Sequence, residues 1–207
     1  MGTALDHVIV RVDDLAAAGR EFEARYGLAS VAGGRHPGWG TANRIVPLGS
    51  SYLELVAVIE PAAAITNPFG RWVAGHPPGA PLGWVVGTDD LDAAARRLGL
   101  TIGTGSRATP EGGRLEWRSA GLSEAAAEPC LPFFIEWAPG SLHPGAIPAA
   151  HRAGGARLSA LTLRGDPGRL AGWLGEHTLP ISVERGEPAV LGVTVATDAG
   201  AVQIGAA

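Results

Sequence analysis

The chain of 207 residues carries 16 arginines, no lysine and 20 acidic residues, for a formal net charge of −4, and its charges are scattered. That distribution excludes the concentrated basic face of a nucleic-acid binder, and one cysteine, Cys130, excludes a disulfide framework or a multi-cysteine zinc or iron–sulfur site. Without lysine, Schiff-base chemistry, a lysine-held pyridoxal cofactor and a Walker-type phosphate loop are excluded as well. The first element is "LDHVIVRVDDL", in which Val8, Val10 and Val12 share one strand face and His7, Ile9 and Arg11 the other. Asp13 or Asp14 then caps a helix with Leu15, Ala18, Phe22 and Tyr26 at three-to-four spacing, and Gly27 supplies its stop.

Three glycine-punctuated stretches follow: "ASVAGGRH", "TANRIVPLG" and "SYLELVAVI". They complete a β-α-β-β-β order over residues 1–60. Residues 61–81, rich in Pro, Gly and Ala, read as a connection with one helical turn. "LGWVVGTDDL" then repeats the opening phrase at an offset of 76 positions. A helix in "DLDAAARRLGL" and strands in "TIGTGSR", "RLEWRSAGL" and "PFFIEWAP" give a second unit over 82–139. Residues 140–156 read as another connection. Residues 157–207 read as a partial third, βαββ-like unit, with Pro167 in the first turn of its helix and a hairpin turn at "DAG".

Two strand carboxylates draw attention. Glu54 alternates with Leu53 and Leu55, and Glu136 is flanked by Ile135 and Trp137. A carboxylate inside an apolar strand is costly unless paired or metal-bound, although either could face water from an alternating strand. "RHPGWGTANR" reads either as a solvent-facing loop or as a lip over a cavity. In the second reading His36, Trp39, Thr41, Asn43 and Arg44 contact a small ligand. Trp84, Trp117 and Trp137 read as packing, and "GGRHPGWG" lacks the strand-turn-helix context of a nucleotide site, so no nucleotide cofactor is expected.

The paired units, with "LDHVIV" leading and "YLELV" and "FFIEW" closing them, resemble the vicinal oxygen chelate superfamily of glyoxalase I, extradiol dioxygenases and bleomycin-resistance proteins. "GGRHPGWGTANRIVPLGSSYLELVAV" looks like the glyoxalase-like domains of that superfamily. The resemblance implies an α+β fold in which two βαβββ modules form a half-open barrel around one cavity. It places metal ligands at His7, Glu54 and Glu136, with Gly83 at the fourth place as space for a substrate. Such a set suits Mn²⁺, Fe²⁺, Co²⁺, Ni²⁺ or Zn²⁺, with Glu54 or Glu136 as proton carrier in a glyoxalase-like lyase or isomerase. The alternative is a metal-free protein that binds or sequesters a small molecule. A cytoplasmic protein without membrane or nucleic-acid partners, able to form a homodimer, is the matching expectation.

Overall fold

In the computed structural model, which describes residues 2–109 and 112–205, the first unit is β1 (Thr3–Arg11), α1 (Leu15–Tyr26), β2 (Val31–His36), β3 (Thr41–Pro47) and β4 (Tyr52–Val58). Asp14 starts α1 by accepting the Ala17 amide at 2.7 Å, and Gly27 ends it at φ 69°, where a side chain would be strained. Residues 61–81 carry two short helices rather than one turn, α2 (Pro61–Ala64) and α3 (Pro68–Gly75). Asn67 accepts the Phe69 and Gly70 amides, and Pro68 follows it at the first helical position.

The second unit is β5 (Pro81–Thr88), α4 (Leu91–Leu98), β6 (Ile102–Ala108), β7 (Arg114–Ala120) and β8 (Phe133–Trp137). A further short helix, α5 (Leu122–Ala127), lies between β7 and β8; its apolar spacing is too brief to signal it. The eight strands form one sheet in the order β2-β3-β4-β1-β5-β8-β7-β6, curled so that its two ends approach. Across this seam Arg107 of β6 donates from Nη1 to the Gly33 carbonyl of β2 at 2.5 Å.

The two units meet along the antiparallel β1–β5 ladder, whose register shifts between Leu5 and His7 and again between Ile9 and Val10. His7 pairs with Val85 and Ile9 with Gly83, so the irregularities are symmetric and Asp6 and Leu82 occupy equivalent bulges. A bulge breaks strict alternation. Asp6 therefore joins His7 on the concave face, and Leu82 joins the apolar cluster there.

The convex face carries Val8, Val10, Leu53, Leu55, Trp84, Val86 and Phe134, which pack on α1, α4 and the C-terminal unit. That unit is β9 (Ala156–Gly165), α6 (Pro167–Leu174), β10 (Ile181–Arg185), β11 (Ala189–Thr197) and β12 (Gly200–Gly205). Its sheet order is β10-β9-β11-β12. Its first strand runs parallel to its second, whereas β1 runs parallel to β4, the last strand of its module. Leu161, Leu163, Trp173, Val193 and Val195 insert into the convex core. Each large apolar side chain buried there contributes roughly 1.5–3 kcal/mol, so this layer dominates stability and leaves the concave face free to carry polar groups. Among the described residues, no helix is long and apolar enough to cross a membrane.

Candidate functional site

The concave face gathers polar side chains from the first module. The β1 bulge supplies Asp6 and His7, β4 supplies Tyr52 and Glu54, and the β2–β3 hairpin supplies His36, Thr41 and Asn43. Asp6 Oδ1 accepts from His7 Nδ1 at 2.5 Å, while Oδ2 accepts from Trp137 Nε1 at 2.9 Å and from His143 Nε2 at 3.1 Å. Burial would raise the Asp6 carboxyl, but the hydrogen bonds from His143 and His7 outweigh it and hold the group well below the usual carboxylate range. An ionised Asp6 can only accept, which assigns the hydrogen of His7 to Nδ1 and leaves Nε2 facing Glu54 Oε2 at 3.8 Å.

Glu54 is held from the other side. Its Oε1 accepts from Asn43 Nδ2 at 2.6 Å and lies 3.8 Å from His36 Nε2, while His36 Nδ1 bonds the Thr41 hydroxyl at 2.8 Å. Burial pushes the His36 imidazole down, Glu54 opposes the shift, and Arg107 adds to it. Tyr52 stacks on His7, ring centroids 4.3 Å apart at 18°. Burial first, then the charges of Asp6 and Glu54, raise its phenol well above the ordinary value.

These groups line a small cavity in which the centre of a water molecule can occupy about 50 Å³. Trp39, Trp117 and Trp137 form its wall together with Phe69 and Phe133, and the same three tryptophans border a wider outer groove of about 890 Å³. Trp117 and Trp137 are thus site walls rather than packing alone. Trp84, on the convex side, is core, with its indole N–H on the Cys130 carbonyl at 3.1 Å.

Of the residues singled out in the sequence, the structure brings together His7, His36, Trp39, Thr41, Asn43 and Glu54. Glu136 does not join them. Phe133, Ile135 and Trp137 of β8 face the cavity, so the intervening Glu136 faces the other way, where it accepts from Arg118 Nε at 2.8 Å. Register explains the difference. Glu54 pairs with Ile9, the counterpart of Val85, and Val85 pairs with Phe133, so Phe133 occupies the Glu54 place. Arg44 alternates with Asn43 and turns away from the cavity, to the Ser30 hydroxyl at 2.9 Å and the Ser30 carbonyl at 2.7 Å. Gly83 opens no ligand space, because the Trp72 ring of α3 fills the volume where its Cβ would lie.

Asp6, Tyr52, Arg107 and His143 were not singled out. An acid next to His7 in an otherwise apolar strand was a readable signal for Asp6, while the others come from a strand start, a glycine-rich strand and a connection. The metal ligands implied for the superfamily sit at four strand places, which here hold His7, Glu54, Gly83 and, by register, Phe133. One imidazole and one carboxylate fall short of a three-ligand site, so these residues do not fit a metal held at those places. Among the described residues, no group of three or more His, Cys, Asp or Glu side chains is arranged to hold a metal ion.

Two βαβββ modules sharing an eight-stranded, nearly closed sheet around a polar cavity define a protein of the vicinal oxygen chelate class. The sequence model of the glyoxalase-like domain matches residues 5–178, and the chain belongs to that family. No curated protein matches it. Among solved structures, a hypothetical protein from Staphylococcus aureus is similar over 98% of both chains, at 13% identity and a TM-score of 0.68. A variant of methylmalonyl-CoA epimerase from Streptomyces coelicolor, in complex with 2-nitronate-propionyl-CoA, is similar over 66% of this chain and 97% of its own, at 18% identity and a TM-score of 0.48. The Mycobacterium tuberculosis epimerase is similar over 66% and 88%, at 19% identity and a TM-score of 0.47.

Proposed function

We propose that the cavity is an acid–base centre that moves a proton on a small oxygenated substrate, as an isomerase or lyase does. The observation that carries this reading is the buried Asp6–His7 pair aimed at Glu54, a carboxylate itself fixed by Asn43. Glu54 is the base that takes a proton from carbon, and His7, oriented by Asp6, relays it through Nε2. The 3.8 Å gaps on both sides of Glu54 leave room for a substrate atom to bridge before the hydrogen bonds tighten. The tryptophan and phenylalanine walls lower the local dielectric, which strengthens each electrostatic contact inside.

The test is deuterium exchange in D₂O, followed by proton NMR, with pyruvate, 2-oxobutyrate, dihydroxyacetone and glyceraldehyde. Wild-type protein exchanges at least one of them, and Glu54→Gln loses roughly 10²–10⁴-fold in rate. Equal rates in the two proteins would overturn the reading. Stoichiometric metal in purified protein, lost in His7→Ala, would replace it with a metal-dependent mechanism. The aromatic walls favour one second reading, sequestration of a flat small molecule. Tryptophan quenching by such a ligand without exchange of any substrate would establish that.

A further inference from the structure

We propose that Tyr52 is a catalytic residue whose phenol donates its hydrogen to the substrate oxygen on which negative charge develops; this rests on the acid–base reading above. Tyr52 is 4% exposed and lines the cavity, its ring flat against His7. A buried phenol ordinarily finds a hydrogen-bond partner, yet among the described residues the Tyr52 hydroxyl has none. Most of the neighbouring polar atoms are committed elsewhere, while the Asn43 Oδ1 acceptor lies against Gly33 without a partner among the described residues. Asp6 holds His7, Trp137 and His143, Asn43 holds Glu54, and Thr41 holds His36. Tyr52 is left as a donor facing the space where a substrate sits. The charges of Asp6 and Glu54 act with burial to keep the phenol protonated, so it remains a donor through neutral and alkaline pH.

This pairing of a base with a donor narrows the substrate class to a small carbonyl compound with a hydrogen on the adjacent carbon. Glu54 takes that proton, the C–H electron pair becomes a carbon–carbon double bond, and the carbonyl π pair moves to oxygen. That oxygen receives the Tyr52 hydrogen. Return of the proton to carbon and of the hydrogen to the phenol restores both residues, with no oxidant or co-reactant.

The test compares wild type, Tyr52→Phe and Glu54→Gln in two measurements. One is the deuterium exchange above; the other is calorimetric titration with oxalate, a planar mimic of an enolised 2-oxo acid, in EDTA-containing buffer. Tyr52→Phe keeps the ring against His7, and an unchanged melting temperature shows that the cavity is intact. We expect oxalate binding to weaken about 10- to 100-fold in Tyr52→Phe and exchange to slow by about 10²–10³-fold. Oxalate affinity equal to wild type, or no oxalate binding by wild type, would overturn the role of Tyr52 even where exchange persists. Tyr52-dependent oxalate binding with no exchange of any substrate would instead overturn the acid–base function and leave Tyr52 a binding residue.

Discussion

The two halves of the barrel share a backbone and differ in chemistry. At equivalent bulges the first module places Asp6 and the second Leu82; beside them stand His7 and Gly83, and one pair further along the site Glu54 faces the place of Phe133. The first half is a hydrogen-bonded polar wall, and the second is a mainly apolar wall of Leu82, Val85, Phe133 and Ile135 to which Arg107 and Ser119 add the polar groups, with the Trp72 ring filling the space at Gly83. Duplication therefore conserved the strand geometry that points side chains inward, while the side chains themselves diverged. The first half holds the carboxylates and imidazoles, while the second contributes the Arg107 guanidinium and an apolar surface that lowers the dielectric around them and makes the charges act more strongly.

Exchanging residues between the halves gives the largest expected effect. Leu82→Asp puts the Asp6 side chain at the equivalent bulge without its donors, and we expect a loss of about 3–5 kcal/mol in urea unfolding at neutral pH. Wild-type stability would show that the second half can satisfy a carboxylate after all. In the first half, Asp6→Asn strips the charge from a site with three donors, at a cost of about 2 kcal/mol.

The pH dependence of that variant sharpens the contrast. The folded-state pKa of Asp6 is depressed, so the unfolded chain binds the proton more readily. Stability from the ionised form is complete above about pH 4 and is lost as pH falls toward the depressed value. Asp6→Asn removes this component, so its acid-unfolding profile is flatter than that of the wild type. An unchanged profile would assign the acid sensitivity to other carboxylates.

Smaller effects test the edges of the polar half. A Cβ at Gly33 collides with Asn43 Oδ1, so Gly33→Ala displaces the amide that holds Glu54, with a loss of about 1–3 kcal/mol by thermal or urea unfolding. Glu136→Gln is the smallest. It breaks a surface contact with Arg118 and leaves oxalate affinity within about twofold of wild type. A larger change would bring Glu136 back into the site.

Much of the fold was legible. Alternation in "DHVIVR", the Asp14 cap and the Gly27 stop mark the first strand and helix, and the same phrase at Leu82 marks the duplication. The site was legible only in part, for definite physical reasons. Alternation places Asp6 on the face opposite His7, and only a bulge brings them together. Glu136 sits in a strand that looks like the one carrying Glu54, yet the parallel β5–β8 register places Phe133 at the matching point. Gly83 promised space that Trp72 takes, and Trp72 comes from a segment whose composition read as a connection. His143 likewise arrives from a connection, and no local pattern announces a side chain that acts across 137 positions of sequence.

The seam between β2 and β6 bears on how the interior communicates with solvent. A backbone ladder joins every other neighbouring pair of strands around the sheet, but here the Arg107 guanidinium reaches the Gly33 carbonyl. The barrel is thus a clasp rather than a hoop. Among the described residues no backbone ladder closes this seam, so widening it requires the buried Arg107 side chain to release the Gly33 carbonyl and leaves the ladders of the sheet paired. Amide hydrogens of β2 and β6 along this seam accordingly exchange ahead of those in β1 and β5, which are shielded at the centre of the sheet.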